Sequence, residues 1–372
     1  MPSPLTLNDL VYDVKRGLKT MSVITYKCPN CGGGLEFDPE AQNYKCDYCL
    51  SEFTQEELDE AQKAESAEQI VTETGPEGES ESRTVLYTCP SCGAEIVTDE
   101  TTAASFCYYC HNPVVLAGRM TGGYHPDFVI PFAIDRDKAV EIFTQWIGKK
   151  KYVPNAFFSK DQIEKISGVY FPYWLYSCQV DGDMEAEGTK IKTWVMGNIR
   201  YTETQKYQVD RSGRMKVEHV TRNALKKANK QLVEGVLPFE MKGLKDFSLG
   251  YLSGFIAENR DMNSKDFEAD VNTEIRQYAQ SSLKNQVAGY DSLNVRSCRI
   301  NVDDESWKYA LMPVWTLTYR DQAKNKIYYF ACNGQTGKIC GELPVDKGKL
   351  AVLFAKVFFP ILAVLLIAGY FI

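Results

Sequence analysis

The sequence contains three histidines in 372 residues, and none of them lies in a His-Glu-x2-His pair. That absence excludes the commonest zinc-protease motif. The chain also lacks a Gly-x4-Gly-Lys-Ser/Thr phosphate loop and a nucleophile elbow, so helicase and hydrolase motifs are missing. These absences favour a protein that is not an enzyme. The many carboxylates cannot be paired from sequence, however, which leaves an acid–base site open.

An apolar export segment is missing at the N-terminus, where residues 1–24 alternate apolar and charged positions and predict a short amphipathic helix. The chain nevertheless has twelve cysteines. A disulfide framework would require export to an oxidising compartment. We therefore expect reduced cysteines, and metal binding is then their commonest role.

Eight of the cysteines form two copies of one motif. Each copy has two Cys-x2-Cys pairs separated by fourteen residues, and the second copy follows the first at a distance of 61 residues. The spacing predicts a zinc ribbon over 25–54 and another over 85–118. The predicted metal ligands are Cys28, Cys31, Cys46, Cys49, Cys89, Cys92, Cys107 and Cys110.

The chemistry of these pairs favours two structural Zn²⁺ ions. Two intervening residues let a tight turn aim both thiolates at one ion, and a second such turn completes a tetrahedron. Gly32 and Gly93, which follow the second cysteine of each copy, are expected to adopt the positive φ of this turn. The alternatives are a redox Cys-x2-Cys, which would instead begin a helix in a βαβ unit, and His111 as a ligand in the second ribbon.

Positive charge is scarce in the ribbons, each of which has a net charge of −3. The linker at 55–84 has ten acidic and two basic residues and is expected to be flexible. Non-specific nucleic-acid binding depends on Lys and Arg at the phosphates. We therefore expect the ribbons to contact cytoplasmic protein partners.

The largest predicted domain, 124–344, has strand patterns followed by helical ones, without regular βαβ alternation. This order is typical of an α+β fold with a mainly antiparallel sheet. Helices are predicted at 222–233 and 265–287, and the sequence VDRSGR at 209–214 is expected to form a turn.

Basic residues are concentrated at 190–230, and 190–222 alone contains eight basic and three acidic residues. A solvated strand face would explain this composition. The functional alternatives are contact with anionic lipid head groups and, together with the ribbons, binding of nucleic acid.

Residues 350–372 are apolar except for Lys356. As a helix they would extend about 34 Å, enough to cross a hydrocarbon core of about 30 Å. We expect a single-pass transmembrane helix at the tail of the chain, with a buried core helix as the alternative. Lys347 and Lys349 precede the segment, so the positive-inside rule favours a cell-membrane protein whose bulk is cytoplasmic.

Two stretches carry a family resemblance: YKCPNCGGGL with CDYC at 26–49, and YTCPSCGAEI with CYYC at 87–110. With the VIPF that follows, they resemble Gram-positive membrane-associated proteins of unknown function that contain zinc ribbons of the transcription-factor-IIB type. Some of these carry names borrowed from primosomal helicases because of the ribbon. The resemblance implies zinc binding and membrane association, and it implies no activity.

These features predict a tail-anchored membrane protein whose two structural zinc ribbons form a cytoplasmic protein-interaction or scaffold module. The alternative is a membrane-tethered nucleic-acid-binding protein that uses the ribbons and the basic stretch at 190–230.

Overall fold

A computed structural model describes residues 26–58, 60, 85–88, 95–98, 101–107, 113–116, 120, 124–154, 157, 159–321 and 326–370. The helix predicted at 1–24 and most of the linker predicted at 55–84 lie outside these residues. The described residues divide into two compact units. The second unit consists of Tyr173–Ala224 and Asp261–Ala310, and the first consists of the remainder.

The strands are short in the first half of the chain and include very long ones in the second half. In chain order they are β1 (Leu35–Asp38), β2 (Asn43–Cys46), β3 (Glu52–Phe53), β4 (Val85–Thr88), β5 (Glu95–Thr98), β6 (Thr102–Phe106), β7 (Pro113–Val115), β8 (Phe128–Val129), β9 (Ser167–Met196), β10 (Ile199–Asn223), β11 (Lys245–Asp246), β12 (Ile256–Glu258), β13 (Ser292–Asp321), β14 (Lys326–Asn333) and β15 (Ile339–Gly341).

The α-helices are α1 (Arg136–Gly148), α2 (Lys160–Ile163), α3 (Lys230–Gly235), α4 (Glu268–Asn285) and α5 (Lys347–Tyr370). The helix predicted at 265–287 corresponds to α4. The helix predicted at 222–233 is confirmed only at its end, because α3 begins at Lys230 whereas Arg222 and Asn223 lie in β10. The Asp135 side chain caps α1 by accepting a hydrogen bond from the Lys138 N–H. The buried residues of α1 are Ala139, Phe143 and Ile147, which are spaced by four. They lie on one face of the helix, and this face packs against the rest of the first unit.

The first unit contains a mixed sheet that is rich in antiparallel pairs, as predicted for an α+β fold. Its order is β11-β8-β13-β9-β12-β6-β7, with β14 paired to β13 and β15 paired to β14. The β12 strand pairs in parallel with β9 and antiparallel with β6. Phe132 lies in its aromatic core, stacked on Phe255 at 4.2 Å between ring centroids and packed against Tyr170 and Trp315.

The second unit is built on the antiparallel hairpin of β9 and β10, in which Val209 pairs with Ala186. Helix α4 covers the base of this hairpin. Its buried residues recur every four positions, which places them on one face of the helix; they are Val271, Ile275, Ala279 and Leu283. This face packs on the buried hairpin residues Tyr176, Cys178, Val180, Met184, Ala186 and Val209.

The turn predicted at 209–214 is wrong, because those residues lie inside β10. The hairpin instead turns at Gly197 and Asn198. Gly197 has a φ of +61°, which a type II′ turn requires at its first central position. The Gly213 that suggested a turn faces Gly182 across the hairpin.

Helix α5 is long and apolar enough to cross a membrane. The candidate span Lys347–Leu366 contains 20 residues, and no part of it is buried within the described protein. The helix begins three residues before the predicted start at 350, and Pro360 lies inside it. Asp346 caps its first turn, where the carboxylate accepts hydrogen bonds from the N–H groups of Gly348 and Lys349.

Candidate metal centre

The first predicted ribbon contains two tight turns, each carrying a Cys-x2-Cys pair. In the first turn, the Cys28 N–H donates to the Gly33 carbonyl over 2.7 Å, and the Gly32 N–H donates to the Cys28 carbonyl over 2.8 Å. Gly32 has a φ of +72°, which confirms the expected conformation. In the second turn, the Leu50 N–H donates to the Cys46 carbonyl over 2.8 Å. Here Leu50 adopts the left-handed conformation, with a φ of +59°.

The turns bring the four predicted ligands of this ribbon together. The Sγ atoms of Cys28 and Cys49 are 3.5 Å apart, and those of Cys31 and Cys46 are 3.4 Å apart. All four sulfurs lie within 4.8 Å of one another. A zinc ion with four bonds of about 2.3 Å would separate its sulfurs by about 3.8 Å, so this cluster could hold one zinc ion.

The surroundings of the thiols shift their pKa values unequally. Hydrogen bonds from the side chain and backbone of Ser51 lower the pKa of Cys49 to about 6. A hydrogen bond from the Gly33 backbone lowers the pKa of Cys31, but the neighbouring Cys46 and Cys49 thiols outweigh it and raise that pKa to about 12. Four adjacent thiolates repel one another, so a bound cation would favour the fully ionised cluster.

A small apolar core supports the cluster. Its buried aliphatic and aromatic residues are Tyr26, Leu35, Phe37 and Tyr44. The rings of Phe37 and Tyr44 meet edge to face at 5.4 Å. Such a core is too small to offset the chain entropy of the ribbon by itself, so metal ligation is expected to supply folding energy.

The first ribbon is hydrogen-bonded to the main part of its unit through backbone groups. The Phe37 N–H donates to the Ser253 carbonyl over 3.1 Å, and the Ser253 hydroxyl donates to the Leu35 carbonyl. The Gln42 side-chain amide donates to the Phe132 carbonyl over 2.7 Å. These bonds hold the ribbon in one position within its unit.

Most predicted ligands of the second ribbon lie outside the described residues. This applies to Cys89, Cys92 and Cys110 and to the alternative ligand His111, as well as to Gly93. Cys107 is described and buried. The second metal site therefore stays a prediction.

The described strands of the second copy pair in the same register as those of the first. Between β2 and β3, Tyr44 pairs with Phe53. Between β6 and β7, Ser105 pairs with Val114, and both positions are displaced by 61 residues from the first pair.

A second pairing recurs at the start of each copy, where the backbone bridge between Lys27 and Gly34 corresponds to the pair Thr88 and Glu95. The copies differ in their neighbours, because β2 pairs with β1 whereas β6 pairs with β12 of the large sheet.

A cavity of about 290 Å³ lies within the first unit, next to the first ribbon. Aromatic side chains form much of its wall, and its charged lining residues are Glu36 and Arg136. Burial raises the pKa of Glu36, and the nearby Asp47 charge adds to this effect. Glu36 is the one carboxyl group among the lining residues of this cavity. The cavity therefore lacks the second carboxyl group that a paired acid–base site would need.

Sequence reasoning missed the role of Leu50. The signal was available, because Leu50 follows Cys49 at the position where Gly32 follows Cys31. A leucine in the left-handed region costs roughly 1–2 kcal/mol relative to the usual conformations. Its side chain is also 69% exposed, so burial does not compensate this cost.

Comparison with known proteins relates the chain to a bacterial protein of uncharacterized function. No family model matches the chain, and no solved structure does. The chain is similar to the uncharacterized protein YdjG of Bacillus subtilis (strain 168), with 30% identity over 335 residues that cover 90% of this chain and 94% of the relative. The chain therefore belongs to the same protein family as YdjG.

Proposed function

We propose that the chain is a membrane-anchored zinc protein whose ribbons act as a protein-interaction module on the cytoplasmic face. The observation that carries this proposal is an exposed apolar pair at the first metal centre, Tyr48 and Leu50, which flank the ligand Cys49. Their side chains are 72% and 69% exposed. Tyr48 lies over Gly33, where a Cβ would approach its ring to 2.6 Å, so the chain makes room for this aromatic side chain.

Backbone strain supports the assignment of this pair to a partner. The turn imposes a positive φ on the residue after Cys49, and the chain has an exposed leucine at this strained position where glycine would be unstrained. Exposed aromatic and aliphatic side chains at a rigid turn are typical anchors of protein interfaces. Because the ribbon has a net charge of −3, we expect a partner surface that is apolar at its centre and basic at its rim.

We further propose that the second cysteine motif binds a second Zn²⁺. What supports this is the common pairing register of the two copies after a shift of 61 residues. Metal analysis of the full chain should then give two zinc ions per molecule. Cys89→Ser should reduce the content to one, and a wild-type content of one would contradict the second site.

The lysines around the base of α5 support a cytoplasmic orientation. The Tyr152 carbonyl accepts a hydrogen bond from the Asp346 N–H over 2.8 Å, and the Val153 carbonyl accepts one from Lys349 Nζ over 2.7 Å. These bonds bring the exposed lysines at 149–151 beside Lys347 and Lys349. Five lysines at one end of an apolar helix favour the cytoplasmic side under the positive-inside rule.

The alternative, binding of nucleic acid by the basic stretch, loses support from its ion pairs. Four of the eight basic residues at 190–222 contact carboxylates of the second unit; they are Lys206, Arg214, Lys216 and Arg222. Paired cations attract phosphate less strongly. The alternative predicts salt-sensitive binding of DNA or RNA by the full chain in detergent, and no binding at about 50 mM salt would end it.

The protein-interaction proposal is tested by affinity capture with the full chain in mild detergent. A partner should be captured by the wild type and lost with the double variant Tyr48→Ser and Leu50→Ser. Tyr278→Ser is the matched control, because Tyr278 is an exposed aromatic residue of the second unit, with 64% of its side chain accessible. Equal capture by all three chains, with zinc content unchanged, would contradict the proposal.

A further inference from the structure

The outer part of the β9–β10 hairpin, residues 190–208, has no buried side chain. The last residues of β9 that α4 covers are Met184 and Ala186. From Lys190 to Gly197 the strand extends about 23 Å at about 3.3 Å per residue. We name residues 190–208 the hairpin tip. It adds no buried side chain to the core of the second unit.

Large apolar side chains are concentrated at the end of the hairpin tip. The exposed ones are Ile191, Trp194, Val195, Met196, Ile199 and Tyr201. Register pairs Met196 with Ile199 and Trp194 with Tyr201, and the last two rings stack at 5.7 Å between centroids. Contiguous exposed apolar surface of this kind marks a contact with a membrane or another macromolecule.

The charge of the hairpin tip indicates which of these it contacts. The tip contains four basic side chains, Lys190, Lys192, Arg200 and Lys206, and one acidic side chain, Glu203, and no acidic residue occurs from Lys190 to Thr202. Arg200 lies one position from Ile199 near the turn, and Lys190 and Lys192 lie farther back. Apolar residues at the end, an interfacial tryptophan and two lysines behind them match the order of acyl chains and anionic head groups in a bilayer. Arg200 lies opposite Val195, and its long side chain can extend to the head groups.

We propose that the hairpin tip binds the interface of an anionic membrane, with Trp194, Met196 and Ile199 in the head-group and acyl boundary. The proposal rests on the membrane anchor of the proposed function, since α5 keeps the chain at a bilayer surface. A nucleic acid would use the cations and aromatic rings but gain little from Val195, Met196 and Ile199. A protein partner remains an outcome of the test.

The test uses the full chain in nanodiscs of phosphatidylcholine, with or without about 30% phosphatidylserine. We expect lipids with brominated acyl chains to quench the tryptophan emission of the wild type more than that of Trp194→Phe, because Trp194 reaches the acyl boundary. Amide exchange at 190–205 should also be slower in the anionic discs. The triple variant Lys190→Gln, Lys192→Gln and Arg200→Gln should lose both effects, since three surface cations correspond to about a hundredfold in membrane partitioning.

A matched control is the triple variant Lys149→Gln, Lys150→Gln and Lys151→Gln, which removes the same charge from the first unit and should keep the Trp194 signal. A chain that does not enter the discs at all would overturn the anchor. A chain that enters them but shows equal quenching in the wild type and Trp194→Phe would overturn the contact of the hairpin tip alone. Protection at 190–205 that requires an added protein or nucleic acid, or that is equal in both lipid compositions, would also overturn it.

Discussion

The first ribbon and the second unit are both organised around antiparallel strands, yet different forces hold them. In the ribbon, four thiols within 4.8 Å of one another close two turns over a core of four aliphatic and aromatic side chains. In the second unit, α4 packs a continuous apolar row on the hairpin of β9 and β10. Where the chain is too short to form a large core, as in the ribbon, metal ligation is expected to supply the folding energy that burial does not.

Removal of metal should give the largest effect and should separate the two regions. Structural zinc contributes roughly 10 kcal/mol or more to the folding of small ribbons. We expect a strong chelator to abolish amide protection at 26–53 while protection at 268–285 is unchanged. Hydrogen exchange followed by mass spectrometry of the full chain measures both regions at once. Retained protection in the ribbon after complete zinc loss would contradict ligation as its main stabilising force.

Truncation of the apolar row should affect the second unit alone. Leu283→Ala leaves a cavity under the hairpin, so we expect a loss of about 2–5 kcal/mol in its free energy of unfolding. Tyr278 lies on the exposed face of the same helix, so Tyr278→Ala should change the free energy of unfolding by less than about 0.5 kcal/mol. Urea denaturation of the full chain in detergent measures both variants. Similar effects of the two substitutions would contradict the packing of α4 on the hairpin.

The paired glycines of the hairpin allow a finer test of the same packing. A Cβ at Gly182 would lie 2.8 Å from Leu283 Cδ1, whereas a Cβ at Gly213 would have its nearest neighbour at 3.8 Å. We therefore expect Gly182→Ala to destabilise the unit by about 1–2 kcal/mol through overpacking. Gly213→Ala should be neutral or slightly stabilising. Denaturation midpoints of the two variants provide the comparison, and equal midpoints would show that α4 can shift to accommodate the extra methyl group.

The smallest effect on stability is expected at the surface of the ribbon. Leu50→Gly removes backbone strain of roughly 1–2 kcal/mol from the folded state. Glycine also makes the unfolded chain more flexible, which destabilises the folded state by about 0.5–1 kcal/mol. The two effects oppose each other, so the free energy of unfolding should change little. Partner capture should nevertheless fall, because the exposed leucine is lost. Thermal denaturation and zinc content measure the first effect, and affinity capture measures the second. Unchanged capture would show that Leu50 is not part of the interface.

Local patterns in the sequence predicted local features well. The cysteine spacing identified four thiols that the structure brings together, and the apolar period identified α4. The turn of the long hairpin was misplaced, because Arg211, Ser212 and Gly213 have the composition of a turn but lie within a strand pair. Only the opposite strand, in which Asp183 and Gly182 pair with Ser212 and Gly213, shows that these residues continue the hairpin.

Contacts between distant segments could not be predicted in the same way. The bonds from the first ribbon to Ser253 and Phe132 join residues separated by about 90 to 220 positions. The acceptor of each bond is a backbone carbonyl, which every residue has, and the donors are the side chains of Gln42 and Ser253, two common polar residue types. No side-chain pattern in the sequence therefore marks them.

The sequence by itself determined the four-thiol cluster and the apolar helix, because thiolate geometry at a metal and the thickness of a bilayer impose spacing and length on neighbouring residues. The tertiary structure decided which surfaces remain available. It brought the lysines at 149–151 to the base of α5, paired half of the basic residues at 190–222 with carboxylates, and left Leu50 and the hairpin tip exposed. These outcomes depend on what packs against each side chain, and packing partners are chosen by the whole fold.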